Sequence, residues 1–366
     1  MRVLVVNAGS SSLKVSVVDG DDRILVDHEL ESPGGRLDEA RLGEAIRGME
    51  SIDAVGHRIV HGGARFQAAV RIDAEVVRYL GTITDLAPLH LPAALAAIRT
   101  VGGLMPDLPA VACFDTAFHS HMPEAASTYA IPREWRERHG IKRYGFHGFS
   151  HAYASRRAAA ILHRDERALK VVTCHLGAGA SLAAVAGGQS VDTTMGFTPL
   201  EGLVMATRSG TVDPGALLYL MRNAELSEPA LTDGLDRKGG LLALAGTSDM
   251  REVLRGVNQD DADARLAFDV FMHRLRGAIG SMATSLNGLD ALVFTGGIGQ
   301  NSPEVRSAVA EGLGFLGVAI DEAANSTIDG DGDVSTAEAR VRTLVVQARE
   351  DIEVAREVRR VLSQTV

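Results

Sequence analysis

VVNAGSSSL at residues 5–13 and TCHLGAGASL at residues 173–182 repeat one order of a strand, a turn of small residues and a second strand. An ordinary hairpin needs only a two-residue turn such as Asn-Gly or Asp-Gly. A longer run of Gly, Ala and Ser lets backbone N–H groups approach an anion closely and point towards it. The two segments therefore predict phosphate-binding hairpins in preference to plain turns. A duplicated pair that faced each other would hold a polyphosphate between two domains.

Buried strands and amphipathic helices alternate along the chain. Val-rich runs predict strands at 3–6, 15–18, 110–113, 171–174, 291–294 and 343–346. Ala-rich segments with helical spacing, including 152–162 and 262–286, lie between them. This alternation is typical of mixed α/β proteins, and we expect two domains that each contain a five-stranded sheet. The first domain would comprise residues 1–114 with a C-terminal helix over 352–366, and the second would comprise residues 115–351.

Composition and charge exclude several classes of protein. The 366 residues include 37 Lys and Arg against 47 Asp and Glu, and the resulting net charge of −10 disfavours a nucleic-acid partner. The first apolar run is too short for a signal peptide and no apolar window could span a membrane, so we expect a cytoplasmic protein with no membrane partner. Cys113 and Cys174 lie in strand-like runs and predict buried free thiols. The acidic stretch at 329–333 lacks the other ligands of a calcium loop and is interpreted as a solvated turn.

A third glycine cluster, TGGIGQN at residues 295–301, follows a predicted strand. The next residues, Ser302 and Pro303, predict the N-cap and first position of a helix. A helix start of this kind attracts phosphate or lets a nucleotide approach the backbone. The glycine spacing fits neither a Walker A loop nor a Rossmann fingerprint, which excludes P-loop enzymes and dehydrogenases.

Three basic residues lie in glycine-rich or turn-like contexts: Arg58 in GHRIVHGG, His147 in YGFHGFSH and Arg208 in MATRSG. Two guanidinium groups and an imidazole could balance the charge of a transferring phosphoryl group. The alternative is a set of surface ion pairs, which any one arginine taken alone would favour. Three basic residues in such contexts, together with the hairpins, favour a phosphoryl-transfer site over a set of surface ion pairs. Lys14 is either a phosphate ligand or a surface lysine.

The histidines cannot be ranked from residue types alone. His90 in LAPLHLP follows an apolar stretch, as does Asp115 in CFDTAFH, and a lone His in such a place is more often a hydrogen-bonded core group than a catalyst. Equally suggestive contexts surround His57, His61, His119, His121 and His175.

Ten segments resemble the acetate kinase family, which belongs to the acetate and sugar kinase, Hsc70 and actin superfamily. They span residues 1–311 in family order and read NAGSSSLK, GHRIVHGG, LAPLH, FDTAFH, YGFHGFSH, TCHLGAGAS, MGFTPLEGL, TRSGTVDPG, TSDMRE and GGIGQNSPEVR. The stretch between the first hairpin and GHRIVHGG is shorter than usual in the family. The resemblance implies a duplicated two-domain actin-like (ribonuclease H-like) α/β fold with a central cleft. It also implies a homodimer formed through the second domain.

The resemblance further implies that ATP and acetate give acetyl phosphate and ADP, reversibly, by direct in-line transfer with Mg²⁺ or alternatively Mn²⁺. Arg58 and Arg208 would hold the carboxylate and the transferring phosphoryl group. His147 would stabilise the equatorial oxygens and His90 would assist. The family assigns Asp115 a catalytic role that is often called proton transfer. Because a carboxylate acceptor, with a pKa of about 4.3, is already ionised at pH 7, we hypothesise that Asp115 orients Arg58 or a magnesium-bound water.

The remaining family positions fall into three groups. Asn7 and Glu350 match the magnesium ligands. The small apolar pocket for the acetate methyl group matches Val60, Leu89, Phe146 and Pro199, which predicts that propionate is a poorer but real substrate. The phosphate and adenosine positions match Ser10, Ser12, Lys14, His175, Leu176, Gly177, Ala178, Gly179, Asp249, Met250, Arg251, Gly297, Ile298, Gly299, Gln300 and Asn301.

The sequence departs from the family at three places. Ala178 replaces an Asn, Gln300 replaces a Glu, and QARED at 347–351 replaces Pro-Thr-Asn-Glu-Glu, so that only an acidic pair remains there. Losing one amide hydrogen bond to phosphate costs about 1.5 to 3 kcal/mol, which predicts weakened rather than abolished use of ATP. The alternatives are a propionate or butyrate kinase, a kinase with pyrophosphate or another donor, and a non-catalytic actin-like nucleotide-binding clamp.

Overall fold

The computed structural model describes residues 1–8, 12–31, 39–47, 49, 51–88 and 90–364. The chain divides into two units: the first contains Met1–Ser120, Phe146–Tyr153 and Arg349–Val366, and the second contains His121–Gly145 and Ala154–Ala348. This division differs from the expected boundaries, because residues 115–120, 146–153 and 349–351 belong to the first unit. The physical reason is that Asp115 directly continues a strand of the first sheet, while Glu350 begins a helix that packs on that sheet.

The first unit contains a mixed sheet of six strands in the order β3-β2-β1-β4-β6-β5. Its strands are β1 (Val3–Ala8), β2 (Ser12–Val18), β3 (Ile24–Glu31), β4 (Ala54–Ile59), β5 (Val70–Arg71) and β6 (Ala110–Phe114). Strands β1 to β3 form an antiparallel meander, whereas β4 runs parallel to β1 and β6 runs parallel to β4. The carboxyl ends of β1, β4 and β6 therefore lie at one edge, where ligands bind in open α/β sheets.

The second unit repeats this topology. Its strands are β7 (Lys170–Leu176), β8 (Ala180–Ala186), β9 (Gln189–Thr193), β10 (Ala291–Thr295), β11 (Gly332–Asp333) and β12 (Arg342–Val345). Counted from β9, the strand order is β9-β8-β7-β10-β12-β11, with an antiparallel meander followed by two parallel strands and an antiparallel edge strand. The duplication expected from the two hairpins is thus confirmed. Each sheet has six strands instead of the expected five, because the two-residue strands β5 and β11 extend its edge.

Fifteen helices are present in the described part of the chain, and none of them is long and apolar enough to cross a membrane. They are α1 (Glu39–Arg47), α2 (Ala74–Thr82), α3 (Leu91–Leu104), α4 (Glu124–Ser127), α5 (Arg133–His139), α6 (Gly148–Leu162), α7 (Pro214–Asn223), α8 (Glu228–Asp236), α9 (Gly240–Ala245), α10 (Met250–Asn258), α11 (Ala262–Ser285), α12 (Gly296–Asn301), α13 (Pro303–Gly312), α14 (Glu322–Thr327) and α15 (Glu350–Ser363).

Helices cover both faces of the first sheet. Successive side chains of β1 point to opposite faces, so Val3 and Val5 pack on Val354 and Val358 of α15, while the alternate residues pack on α1 and α3. Gly56 on β4 lies under α15: a Cβ atom at this position would be 2.7 Å from a methyl group of Val358. The close approach of α15 to the sheet therefore requires glycine here.

The six predicted strands, the two predicted helices and the two buried free cysteines are confirmed. Two interpretations are wrong. The glycines after β10 form the short helix α12 rather than an open turn, whereas Ser302 as N-cap and Pro303 as first helical position are confirmed for the next helix, α13. The acidic stretch at 329–333 is not simply solvated, because Asp331 pairs with Arg157 at 2.6 Å and Asp333 pairs with Arg342 at 2.7 Å.

Candidate functional site

A row of polar residues crosses the first sheet on the face that α15 covers. Asn7 on β1 is paired with Lys14 on β2 and with Arg58 on β4, and Lys14 is paired with Glu29 on β3. Neighbours across strands share a face, so four strands contribute to one polar row. This row lies where β1 and β4 end, which is the edge that favours ligand binding in this architecture.

Arg58, at one end of the row, is held by Asp115, the residue directly after β6. Its Nε donates to Oδ1 of Asp115 at 3.0 Å, and its Nη2 donates to Oδ2 at 2.6 Å. The side chains of Arg58 and Asp115 are 13% and 2% exposed, so the surface-ion-pair alternative is wrong for Arg58. A bidentate pair of this kind fixes the plane of the guanidinium group.

Burial and the ion pair act in opposite directions on the pKa of each partner. Burial raises the pKa of Asp115 to about 6, although the charge and hydrogen bonds of Arg58 act in the opposite direction. Burial lowers the pKa of Arg58, but the charges of Asp115 and Glu350 outweigh this and leave it above its ordinary value. The ionised form of each group therefore prevails at pH 7, where Asp115 is mainly a carboxylate.

Asn7 and Glu350, the predicted metal ligands, both contact Arg58. Arg58 Nη1 donates to Asn7 Oδ1 at 2.9 Å, and its Nε lies 3.6 Å from Glu350 Oε2. Glu350 reaches this position because it is the first residue of α15, whose apolar face packs on the sheet. The structure thus brings together an amide oxygen and a carboxylate that are 343 positions apart in the sequence.

His147 adopts a left-handed backbone conformation, with φ of 54°, immediately before α6. A histidine in this region is strained, and such strain concentrates at functional sites. Gly148 follows it so close to Asp115 that an added Cβ would lie 2.0 Å from the Asp115 carbonyl oxygen. The backbone of His147 also forms a hydrogen bond with the Asp115 carboxylate, which lowers the pKa of Asp115. The backbone of His147 is therefore in direct contact with the side chain of Asp115.

Two of the residues predicted to form the acyl pocket, Val60 and Phe146, are buried in the first unit. Val60 follows β4 and is buried, and Phe146, 1% exposed, packs edge-on against the ring of His61 at 5.6 Å between centroids. Buried His119 bonds through Nε2 to the Phe146 carbonyl at 3.0 Å. Sequence analysis did not rank His119, although it falls within the motif FDTAFH.

Several predicted residues of the first unit remain predictions. His90 is the N-cap residue of α3 and makes no side-chain capping hydrogen bond. Lys14 is half exposed and lies 3.7 Å from Glu29, as a surface lysine would. Ser10, Leu89 and the side chain of Ser12 lie outside the described residues.

In the second unit, the hairpin between β7 and β8 is closed by only three residues, Gly177, Ala178 and Gly179. The N–H of Gly177 bonds to the carbonyl of Gly179 at 3.0 Å, and the carbonyl of Ala178 accepts from Ala206 N–H at 3.1 Å. The backbone of Ala178 is therefore fixed without help from its side chain. Just before this turn, His175 pairs with Ser181 and Thr295, so the position equivalent to Asn7 carries an imidazole.

A cavity of about 430 Å³ opens beside this hairpin. Gly296 at the start of α12, with φ of 77°, lies so close to the Leu176 backbone that an added Cβ would be 2.7 Å from its carbonyl oxygen. The cavity walls include half of the sixteen residues predicted to hold the nucleotide: Gly177, Ala178, Asp249, Met250, Arg251, Gly297, Ile298 and Asn301, together with Ser248 and Ser302. Gly299, which is buried, and Gln300 belong to the same helix but do not line the cavity.

Arg208 is half-buried, and its guanidinium group bonds to the protein only weakly. Its Nη1 donates to the Pro199 carbonyl at 3.2 Å and to the Met205 sulfur at 3.7 Å. Among the described residues, no carboxylate lies within ion-pair distance of it. Burial lowers the pKa of Arg208, with a smaller opposing effect from the charge of Asp236. A half-buried guanidinium without a carboxylate partner favours an anionic ligand.

The structure gives Arg306 and Gln300 roles that the sequence analysis did not predict. Arg306 was not singled out, and Gln300 was predicted to hold the nucleotide. Arg306, 1% exposed, donates to the carbonyls of Gly299 and Gln300 at 2.9 and 2.7 Å and so holds the end of α12. Arg306 is the last residue of the motif GGIGQNSPEVR, and its place in that motif is the sequence feature that could have identified it. In the amide orientation that satisfies both partners, the Gln300 side-chain oxygen accepts from the N–H groups of Gly296 and Ala348. A Glu at position 300 could accept the same two hydrogen bonds. Gln300 therefore acts by holding the backbone of Gly296 and Ala348 in position.

Comparison with known proteins identifies the family. The sequence model of the acetokinase family matches residues 36–356. The chain belongs to the acetokinase family. It is 45% identical to the acetate kinase of Gloeobacter violaceus over 98% of each chain. It shares 34% identity and a TM-score of 0.89 with the Porphyromonas gingivalis acetate kinase structure, over 99% of both chains. A propionate kinase structure from Francisella tularensis matches at 37% identity and a TM-score of 0.89, over 97% of this chain and 98% of that one.

Family membership confirms the duplicated α/β architecture and the resemblance seen in the motifs. The alignment with the Gloeobacter relative runs over 399 residues, whereas this acetokinase has 366. This difference fits a chain that lacks a stretch present in its relatives.

Proposed function

We propose that this acetokinase transfers the γ-phosphoryl group of ATP to acetate, reversibly, giving acetyl phosphate and ADP. The observation that carries the proposal is the bidentate Arg58–Asp115 pair, buried at the carboxyl ends of the parallel strands and bonded to Asn7. An arginine held this rigidly presents a fixed positive charge, which suits an electrostatic role more than a structural one. The membership of the chain in the acetokinase family supplies the reaction class.

The reaction needs positive charge and orientation more than proton transfer. A carboxylate oxygen of acetate attacks the γ-phosphorus, the bond to the β,γ-bridging oxygen breaks, and ADP leaves with the electron pair. Since the acceptor is already ionised, no base has to remove a proton. Asp115 therefore serves to hold Arg58, whose remaining N–H groups would donate to the developing charge. His147, fixed beside Asp115, would donate to the equatorial phosphoryl oxygens.

The second unit supplies the nucleotide side of the reaction. Gly177, Ala178, Gly297 and Ile298 line the cavity, so that a phosphate can approach the backbone closely, as it does at glycine-rich turns. Asp249 is the N-cap residue of α10, and its carboxylate pairs with the exposed Arg251, which gives the cavity a polar rim. Arg208 would hold an anionic group of the substrates, since no carboxylate among the described residues neutralises it.

The residues at the first-unit site fit a magnesium ion. Asn7 Oδ1 and the Glu350 carboxylate are hard oxygen ligands that converge on Arg58. Within the described ranges, no three His, Cys, Asp or Glu side chains cluster as a complete metal site. A cation held by one amide and one carboxylate keeps most of its waters and binds phosphate, which is typical of Mg²⁺ and which Mn²⁺ can imitate. When bound, the ion would neutralise phosphate charge.

A homodimer is part of the proposal. Helix α7 carries five large apolar residues and buries no residue within its own unit. Leu218, Tyr219 and Met221 on this helix are 55%, 61% and 46% exposed. An apolar helix face of this kind marks an association surface. We further propose a cytoplasmic location, which rests on the sequence features above.

Hydroxamate trapping of acyl phosphate tests the proposed function. The purified chain would be incubated with Mg-ATP and acetate, propionate or butyrate, with Mg-pyrophosphate as an alternative donor and Arg208→Ala as the control. We expect ATP-dependent product that is greatest with acetate and lost in Arg208→Ala. One added methylene changes the preference of an apolar pocket by about 1 to 3 kcal/mol, so propionate should react more slowly.

The same assay decides between the alternatives. Because a propionate kinase structure matches this chain at 37% identity, the length of the acyl group that the enzyme prefers has to be measured. Greater product with propionate or butyrate would replace acetate as the acceptor, and product only with pyrophosphate would change the donor. No product with any pair, together with measurable ADP binding, would support a non-catalytic nucleotide-binding clamp.

A further inference from the structure

Three polar side chains of the second unit form a connected cluster: Tyr129, Arg143 and Glu201. The Tyr129 hydroxyl donates a short hydrogen bond to Glu201 Oε2, and Arg143 Nη2 donates to Glu201 Oε1 at 2.8 Å. The Arg143 guanidinium also lies over the Tyr129 ring, 5.5 Å from its centroid. Glu201 thus accepts one bond on each oxygen, and its charge is neutralised by Arg143.

This cluster holds the segment from Thr194 to Glu201 by its backbone. Arg143 Nη1 donates to the carbonyls of Thr194 and Met195, both at 3.1 Å, and the Tyr129 hydroxyl accepts from Phe197 N–H at 3.0 Å. An added Cβ on Gly196 would lie 1.8 Å from Glu201 Oε2 and 2.1 Å from the Tyr129 hydroxyl. The segment is therefore pressed directly against the cluster and cannot shift without breaking it.

The held segment is bonded at two points to the loop that carries Arg208. The Pro199 carbonyl accepts from Arg208 Nη1 at 3.2 Å. Gly202, the neighbour of Glu201, exchanges two hydrogen bonds with Thr211: its N–H donates to Thr211 Oγ1 at 3.1 Å, and its carbonyl accepts from Thr211 N–H at 3.0 Å. Pro199 is the protein's only oxygen partner of the Arg208 guanidinium among the described residues.

We propose that Glu201, anchored by Tyr129 and Arg143, is a positioning residue that orients Arg208 through the Pro199 carbonyl. The inference rests on the proposed function for the role of Arg208. Glu201 touches no reacting atom in this account. Loosening it lets the guanidinium rotate away from the geometry that the transition state requires, and small misplacements of this kind cost large factors in rate.

A double-mutant cycle tests the coupling. Glu201→Gln keeps the size of the side chain but removes its charge, and it should lower kcat about tenfold or more while KM for ATP changes little. In an Arg208→Lys background the same change should cost less than about threefold, because residues that act through one another are not additive. Tyr129→Phe should reproduce part of the loss, and Gly196→Ala, which removes no polar group, should reproduce it by displacing Glu201. Full additivity in the cycle would overturn the proposal.

A matched control and a second readout keep the test independent of the reaction. Glu137→Gln removes the carboxylate of an exposed Arg133–Glu137 pair and should leave kcat unchanged. In hydrogen–deuterium exchange of the full chain, Glu201→Gln should speed exchange in peptides covering 194–211 and leave those covering the first sheet unaltered. Unchanged exchange at 194–211 would refute the positioning role whatever the activity. If the parent protein makes no acyl phosphate, the proposed function fails, while the exchange result still decides whether Glu201 holds this segment.

Discussion

Arg58 and Asp115, which are 57 positions apart, form a two-pronged buried ion pair with N···O distances of 3.0 and 2.6 Å. Arg58 lies near the end of β4 and Asp115 follows β6, its parallel neighbour. Both Asp115 oxygens are engaged by the same guanidinium group. This geometry supports the hypothesis that Asp115 orients Arg58, and it is the basis of the first prediction.

Asp115→Asn should lower kcat/KM by roughly tenfold to a hundredfold, since hydrogen bonds to charged groups contribute about 1.5 to 3 kcal/mol. The amide keeps one acceptor but turns an NH₂ group towards the guanidinium donors. Because no proton is transferred, the pH profile from 7 to 9 should have the same shape in parent and variant. An ionisation in that interval that is seen in the parent and lost in Asp115→Asn would contradict the orienting role and indicate a base.

Ala178→Asn should increase kcat/KM for ATP by roughly tenfold, the equivalent of one hydrogen bond to a charged group. Ala178 lines the cavity and its backbone is fixed by Ala206, so an added amide can reach a phosphate without disturbing the turn. Steady-state kinetics with varied ATP measure the effect. Ala180→Ser, which alters the buried residue that begins β8, is a control and should give no gain. An unchanged kcat/KM in Ala178→Asn would refute the role assigned to this position.

Stability should rise between pH 5 and pH 7. Burial lowers the pKa of both His57 and His119 to about 4 from 6.5, so below pH 6.5 the unfolded chain binds protons that the folded chain rejects, and stability is lost as the pH falls. Asp115 has the opposite sign: burial raises its pKa to about 6, so its contribution favours the folded state at low pH and is lost as the pH rises. The combined effect of the two histidines on the free energy of unfolding is larger than that of the one carboxyl group. Each histidine contributes on the order of 3 kcal/mol over its full titration range.

The variant His57→Leu removes the contribution of one of the two histidines to the pH dependence of stability. The imidazole of His57 would be replaced by an apolar side chain of similar size in a site that is 2% exposed. Urea unfolding at pH 5, 6 and 7 should show a shallower dependence of stability on pH than in the parent. His121→Leu, at an exposed position, serves as the comparison and should leave the dependence unaltered. Equal slopes in the parent and His57→Leu would contradict the prediction.

Leu218→Asp should convert a dimer into a monomer. The substitution places a charge on the apolar face of α7, where Leu218 is 55% exposed, and an unpaired charge cannot be buried in an interface at low cost. Light scattering coupled to size-exclusion chromatography measures the mass. Leu104→Asp changes an apolar residue of the first unit that is 43% exposed, and it should leave the mass unaltered. A parent protein that elutes as a monomer would end the homodimer proposal.

Arg306→Lys should destabilise the protein by on the order of 2 to 4 kcal/mol and weaken ADP binding, because an ammonium group cannot satisfy the carbonyls that the buried guanidinium now bonds. Those partners are the carbonyls of Gly299, Gln300 and Asn325 and the Asn325 side-chain oxygen, at 2.7 to 2.9 Å. Thermal melting and ADP titration measure the two effects. Arg276→Lys, which alters a half-buried arginine on the Ala308 carbonyl, should leave ADP affinity unchanged. Equal losses in both variants would show that Arg306 only stabilises the fold.

Sequence patterns found the strands that are apolar throughout but missed β4, AVGHRI at 54–59. Its centre, Gly56 to Arg58, breaks the apolar run for reasons that lie elsewhere in the chain. Gly56 makes room for α15, and Arg58 points to partners on β1, after β6 and on α15. The strand that carries the central arginine was hard to recognise because its polar residues are satisfied by tertiary contacts.

The sequence by itself determined the duplicated strand–turn–strand units, the free cysteines, the family and most of the residues that line the cavity beside the β7–β8 hairpin, because each of these depends on local composition or on contiguous motifs. Only the tertiary structure decided that Asp115 forms a bidentate ion pair with Arg58 and that α12 is a helix held by Arg306. It alone also decided that Glu201 is linked to Arg208 through Pro199. These relationships depend on strand register and on helix packing. They join residues from distant parts of the chain at distances of about 3 Å, and no short-range pattern encodes a contact that is created only when the sheets assemble.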